Sequence, residues 1–387
     1  LAGAIAAIIY KKNNTNNKYL SIVGFLLIIF SYFYVDKSHF HPGLVTLLPV
    51  IGTVLIVLFN RNSKNLLFRL LSIKPVVFMG LISYSLYLWH QPIFAGIRLV
   101  SQKQPQTLYF IIAIIPIILI SYLSWKFIEK PFRNNATISE KKSITILVVW
   151  SFALVFYGFS LHKTYGFQNH FEKFSYEGNP QTYVDHPYIY QKKEIGSILV
   201  IGDSFGRDLI NSLESLGIDD IKYYYRGCDG EEIFERNQAL TTDVKKANIV
   251  IVAQLWADPD RNYKKELESL NSCFSELKKL NVKSYIFGTK NFGYNNNFVR
   301  LLPGDLVNDS LAVSPIHTYL EFDKLAKQKF GKHYISVIDL IKNSDGKVPL
   351  FYQNKFISYD NKHLTPAGAR FVAHKVILHS PIKDHLK

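Results

Sequence analysis

The apolar positions of this chain change their spacing partway along. Up to about Leu161 they run in long blocks; after about Ile195 they come as short runs cut by polar stretches. Five of the blocks, Tyr19–Val35, Gly43–Phe59, Val77–Val100, Thr107–Trp125 and Ser143–Leu161, approach the ~20 apolar residues that cross a bilayer core. A single soluble core has no room for five helices that are apolar all round. The pattern therefore predicts a multi-span α-helical membrane domain. The opening LAGAIAAIIY reads as the tail of another such block, and residue 1 is Leu, so the chain is expected to start inside a longer protein.

From Ile195 onward the period shortens. SILVI, IKYYY, ANIVIVAQL, VKSYIFG and HYISVIDL are rich in β-branched and aromatic residues and predict strands. FGRDLINSLESLG, RNYKKELESLNSCFSELKKL and SPIHTYLEFDKLAKQKF carry apolar residues at helical spacing between them. This alternation predicts an α/β domain of three layers, with helices on both faces of a central parallel sheet. Ligands of such sheets bind beyond the carboxyl ends of the strands.

Charge refines the membrane reading. The loop KKNNTNNK at 11–18 is basic, DKSHFHP is close to neutral, and Arg61, Lys64, Arg69 and Lys74 follow. SQKQPQ is poor in charge, and the next loop holds Lys126, Lys130, Arg133, Lys141 and Lys142 against Glu129 and Glu140. Basic loops mark the cytoplasmic side, which places everything after Leu161 outside the cytoplasm, in the periplasm of a bacterial inner membrane. The net charge of +15 is partly this signal. It does not argue for nucleic acid, since the chain lacks an arginine-rich strip interleaved with aromatics. Cys228 and Cys273 both fall in the extracytoplasmic part. An oxidising compartment favours a disulfide between them, two buried thiols being the other reading. No metal-binding spacing is present, so no metal is expected.

The candidate chemistry sits at the end of the first predicted strand. ILVIGDSFGRDLI breaks at Gly202-Asp203-Ser204 and resumes as a helix, which exposes a serine hydroxyl at the carboxyl edge. A serine nucleophile needs a base within hydrogen-bond reach and a partner that orients the base. SYDNKHLTPAGAR supplies both, Asp360 and His363, just before a helix announced by Thr365 as N-cap and Pro366 in the first turn. In this order the two blocks resemble an SGNH (GDSL-type) hydrolase domain over residues 195–387. The resemblance places Ser204 on the nucleophile, His363 on the base and Asp360 on the acid. It also implies an oxyanion hole from the serine N–H, a glycine N–H after the second strand and an asparagine after the third. Gly227, with Gly230 as second choice, fits the glycine. AQLWADP departs from the pattern, leaving Gln254, or Asn291 after the fourth strand, as stand-ins or as ordinary loop amides.

In the membrane half, LISYSLYLWHQPIF at 81–94 and YLSWKFIEKPFR at 122–133 resemble, in the same order, the later part of a membrane acyltransferase-3 domain. That family O-acetylates O-antigen and peptidoglycan. The family's essential histidine and acyl-donor arginines lie in its first spans, which this sequence does not contain. His90 is either interfacial or lines a substrate path; the Glu129-Lys130-Pro131 turn reads as a helix end. The expected domains are 1–135 (membrane acyltransferase), 136–162 (an added transmembrane helix), 163–194 (linker) and 195–387 (SGNH-like). Together the resemblances imply an O-acyltransferase for an envelope polysaccharide such as lipopolysaccharide O-antigen. The partners would be membrane lipid, the glycan acceptor and cytoplasmic acetyl-CoA as donor, with no cofactor bound. An esterase with the same triad, and a non-catalytic carbohydrate-binding module, are the other readings.

Overall fold

The computed structural model of the chain describes residues 2–12, 16–36, 43–62, 64–133, 137–164, 180–194, 196–228, 230 and 232–386. Parts of the loops at 11–18 and 36–42, the stretch 134–136 and residues 165–179 of the expected linker lie outside the described residues. The chain divides into two compact units, Leu1–Ile93 with Ile111–Ser143, and Phe94–Phe110 with Ile144–Lys387.

The first unit is helical. It comprises α1 (Ala2–Lys12), α2 (Lys18–Tyr34), α3 (Leu47–Phe59), α4 (Leu66–Leu71) and most of α5 (Lys74–Val100) and α6 (Thr107–Ser124). Asn17 starts α2 by accepting the N–H groups of Tyr19 and Leu20 at 3.0 and 3.2 Å. Helices α2 and α3 cross at Gly24 and Gly52. A Cβ on either glycine would stand 2.6 Å from the carbonyl oxygen of the other, so only glycine permits this approach. Beyond α6 the helix widens into a π turn at Trp125–Glu129 and runs on through Lys130–Phe132. Pro131 explains the irregularity, because its ring clashes with the carbonyl four residues earlier and it has no N–H to donate. The turn carries Glu129 inward, where Glu129 Oε1 accepts a hydrogen bond from the buried Ser85 Oγ of α5. The two stretches that carried the acyltransferase resemblance thus meet through a side-chain hydrogen bond. Glu129 is a partly buried acceptor and not merely a helix end.

Among the described residues, two helices are long and apolar enough to cross a membrane: Thr107–Phe132, of 26 residues, and α7 (Glu140–Lys163), of 24. None of the residues of α7 is buried, and its apolar residues lie on every side of the helix. The other three expected spans differ. Helices α2 and α3 have 17 and 13 residues, since Val35 and Asn60 end them early and Leu44–Thr46 forms a separate 3-10 turn. Helix α5 is 27 residues long, but Ser83, Ser85, His90, Gln91 and Arg98 interrupt its apolar run.

The second unit contains a five-stranded sheet of β1 (Ile198–Gly202), β2 (Ile221–Tyr225), β3 (Ile249–Ala253), β4 (Ser284–Phe287) and β5 (Tyr334–Ile335). The order is β2-β1-β3-β4-β5 and every pairing is parallel. Every residue of β1 and β3 is buried, as expected of central strands covered on both faces. One face packs around Val200, Leu209, Phe371 and Val372, the other around Leu199, Val252, Phe274 and Phe322. The principal helices are α8 (Pro180–Asp185), α9 (Ser204–Glu214), α10 (Gln238–Lys246), α11 (Tyr263–Lys279), α12 (His317–Phe330), α13 (Val337–Ile341) and α14 (Pro366–Lys375). The run HYISVIDL is strand only over its first part. Ser336 then caps α13, its hydroxyl accepting the Asp339 N–H at 3.2 Å, and local capping overrides β propensity. Gly202 closes β1, where a Cβ would lie 1.7 Å from Ala253 O; the close approach of β3 requires a glycine there.

Candidate active site

Ser204 is the first residue of α9, two positions after Gly202 closes β1. Asp203 builds that turn. Its carboxylate accepts the N–H of Phe205 at 2.9 Å, capping α9, and both its oxygens accept the N–H of Leu255 at 3.0 to 3.1 Å. Tyr223 donates its hydroxyl to the Asp203 carbonyl at 2.7 Å. The aspartate of the first block therefore fixes the nucleophile turn to the loop after β3 and takes no part in the triad.

From the far end of the chain, Thr365 caps α14 by accepting the Gly368 N–H at 3.0 Å and stops the preceding loop at Leu364. That loop is closed by Asp360, whose Oδ1 accepts the N–H groups of Lys362 and His363 at 3.0 and 2.8 Å. Asp360 Oδ2 stands 2.7 Å from His363 Nδ1, and His363 Nε2 stands 2.8 Å from Ser204 Oγ. Residues 159 positions apart are thus in a Ser–His–Asp line. Burial pushes the Asp360 carboxyl up, but the hydrogen bonds from the His363 side chain and backbone outweigh it and hold the group at about 2. The acid therefore remains an anion that orients the imidazole and stabilises it when protonated.

Several contacts that sequence reasoning missed hold this line. Lys290, 1% exposed, places Nζ 2.9 Å from Asp208 Oδ2 and 3.3 Å from the centre of the Phe205 ring. Asp208 Oδ2 also accepts the N–H of Leu364, next to the base, at 3.1 Å. The Phe205 ring meets His363 edge-on at 6.1 Å. Lys362 reaches Asp258 at 2.6 Å and ties the base loop to the loop after β3. Burial raises the Asp258 carboxyl, yet the Lys362 ammonium prevails and keeps it low. A lysine directly after an apolar strand, as in YIFGTKNF, was the available signal for the first of these.

The other expected residues divide. Cys228 and Cys273 form a disulfide with Cα atoms 5.7 Å apart, anchoring the loop after β2 to α11. Gly227 precedes this anchor, and the Arg226 N–H bonds Gly202 O at 3.0 Å, so the loop lies along the strand end that carries Ser204. Gly230 has φ of +90°, a turn geometry. Gln254 Oε1 accepts the Cys228 N–H at 3.0 Å, bridging the loops after β2 and β3. Asn291 corrects the expectation. It is wholly buried, its amide donates to Gly293 O at 3.2 Å, and its oxygen accepts the N–H groups of Gly293 and Ile316. Both ends of that side chain fasten its own loop, so it does not serve an oxyanion. In the other unit, His90 Nδ1 bonds the Leu86 carbonyl of its own helix at 3.1 Å. Among the described residues no group of carboxylates, histidines and cysteines could hold a metal ion.

A parallel sheet with a serine, a histidine and an aspartate aligned at its carboxyl edge defines an SGNH-type domain. Residues 174–377 match the family described as SGNH domain (fused to AT3 domains), and residues 1–126 match the one described as Acyltransferase domain. The chain belongs to this family of SGNH domains fused to acyltransferase domains. An O-acetyltransferase OatA from Staphylococcus aureus is 31% identical over 142 residues, which are 34% of this chain and 23% of that protein. A peptidoglycan O-acetyltransferase OatA from Listeria monocytogenes is 30% identical over 126 residues, 31% of this chain and 20% of that protein. The matches thus span less than a quarter of the length of these curated relatives. Among solved structures, the acetyl xylan esterase AlAXEase is 14% identical with a TM-score of 0.29, over 46% of this chain and 96% of that one. A likeness so distant carries no argument.

Proposed function

We propose that the chain is part of a multi-span inner-membrane O-acetyltransferase whose SGNH domain acetylates an envelope polysaccharide from the outer, periplasmic side. The observation that carries this is the Ser204–His363–Asp360 line at the carboxyl edge of the sheet, in a chain that also matches an acyltransferase domain. The membrane half passes an acetyl group, taken from cytoplasmic acetyl-CoA, outward. Ser204 Oγ attacks the acyl carbon while His363 Nε2 takes its proton and delivers it to the leaving group. An acetyl-serine ester remains. A sugar hydroxyl then gives its proton to His363 and attacks the ester carbonyl. The carbon–Oγ bond breaks, and Ser204 recovers the proton. The N–H groups of Ser204 and Gly227, with the Gln254 amide, face the developing oxyanion.

The acceptor is a glycan of the cell envelope, with lipopolysaccharide O-antigen as one form. The Listeria relative, a peptidoglycan O-acetyltransferase, favours peptidoglycan as the other. In cells carrying Ser204→Ala, acetyl esters on the envelope polysaccharide should vanish, and the peptide containing Ser204 should no longer carry one acetyl mass. Undiminished acetylation in that variant would overturn the relay. Acetyl release to water alone, with none on the glycan, would make the domain an esterase.

A further inference from the structure

Arg207 lies on α9 one turn beyond Ser204 and is only 8% exposed. Its Nε is sealed from solvent and has no hydrogen-bond partner among the described residues. An arginine keeps its charge, and a buried charge without a partner is strongly unfavourable. The acids on and beside this helix are engaged elsewhere. Asp203 holds the N–H groups of Phe205 and Leu255, Asp208 holds Lys290 and Leu364, and Glu214 accepts from Tyr190 and bonds His186. Among the described residues the guanidinium therefore lacks the anion that such a position calls for.

Its surroundings indicate where the anion would come from. Helical side chains lean towards the helix N-terminus, here the end that carries the nucleophile. Against the start of this helix packs a row of tyrosines. Tyr223 is buried under Asp203, Tyr225 is 47% exposed, and their rings are 6.0 Å apart. Tyr188 meets Tyr225 edge-on at 5.3 Å. The Tyr223 ring packs against Gly206, the residue before Arg207, where an added Cβ would stand 3.1 Å from it. An aromatic ring with a face in solvent suits the apolar face of a sugar, and the planar guanidinium suits a two-oxygen anion. Asn211, a turn further along α9 and 4% exposed, has no partner for either polar atom of its side chain among the described residues.

We infer that Arg207 and Tyr225 form an acceptor subsite for a glycan bearing a carboxylate or phosphate group. That the ligand is an acceptor rests on the acyl-transfer reading; that it is an anionic sugar does not. The test is therefore equilibrium binding, measured by calorimetry on the full chain carrying Ser204→Ala, where no transfer takes place. Three probes separate the sources: a disaccharide with a free carboxylate, the same disaccharide reduced to the neutral alcohol, and one carrying a phosphate monoester. The carboxylate or the phosphate probe should bind at least about ten times more tightly than the neutral one, an advantage that falls in added salt. Adding Arg207→Gln should remove that advantage, and Arg207→Lys should restore part of it. Equal binding of all three probes, or an advantage untouched by Arg207→Gln, overturns the subsite. The neutral probe keeps the test decisive should Arg207→Gln fail to fold. Loss of acetyl-serine formation alone would leave this result standing and refute only the relay.

Discussion

Lys290 Nζ stands 2.9 Å from Asp208 Oδ2, with side chains 2% and 3% exposed, and neither residue belongs to the triad. The pair matters because of what else Asp208 holds. The same carboxylate oxygen receives the Leu364 N–H, so a residue of the nucleophile helix grips the residue after the base. Burial pulls the Lys290 ammonium below its ordinary value and Asp208 pushes back.

Removing one partner leaves the other buried and uncompensated. Lys290→Met should lower stability by about 3–5 kcal/mol, read from urea unfolding. Combining it with Asp208→Leu should return most of that loss, because an apolar pair of similar volume needs no desolvation. Turnover should not return with it, since Leu364 then lacks its acceptor and the imidazole its fixed distance from Ser204. A double variant as active as the parent would show that the pair serves stability alone.

The parts of the fold and site that the sequence made legible are those set by local rules. Strands β1 to β4 follow from short runs rich in β-branched and aromatic residues, α14 from its Thr365 cap, and the triad from the order of its blocks. The hidden parts depend on contacts between segments distant in sequence. A lysine beyond an apolar strand hints that Lys290 is buried but not that its partner lies 82 positions away, and nothing around Asn291 says that its amide would close on Gly293 and Ile316. The short end of β5 was hidden for a different reason: Ser336 and Asp339 form a cap whose strength a β-rich run conceals. The membrane half was read from average composition, which overlooks Pro131 turning Glu129 towards Ser85.

The depressed carboxyl of Asp360 fixes a pH window. Its folded value of about 2 lies below the ordinary 3.8, so its stabilisation is complete above that ordinary value and is lost as pH falls towards 2. Half of the side chain is exposed, and solvent keeps the effect below about 1 kcal/mol. The stability difference between the parent and Asp360→Asn should stay flat from neutral pH to about pH 5 and close only below about pH 4, followed by urea midpoints across the series. Turnover should respond far more, falling up to about 10⁴-fold at neutral pH, because the amide favours the wrong imidazole tautomer. An acid limb of kcat/KM between pH 5 and 7 that disappears in Asp360→Asn would contradict this assignment.

The two amides considered for the oxyanion hole now predict opposite behaviour. Asn291 fills its hydrogen bonds within its own loop, and that loop touches the base segment through the Phe292 N–H and Asn361 O at 2.8 Å. Asn291→Ala should therefore destabilise the fold by about 1–3 kcal/mol, leaving a buried N–H unpaired. Its effect on turnover should scale with the unfolded fraction and vanish at low temperature. Gln254 is placed differently: its oxygen accepts the Cys228 N–H at the carboxyl edge, beside Leu255 and Asp203. If its nitrogen faces the oxyanion, Gln254→Ala should lower kcat by about 10²-fold with KM little changed. Gln254→Glu, which keeps the acceptor for Cys228 but removes the donor, should be as slow as the alanine variant. Equal rates in the glutamate variant and the parent would leave the oxyanion to the backbone N–H groups of Ser204 and Gly227.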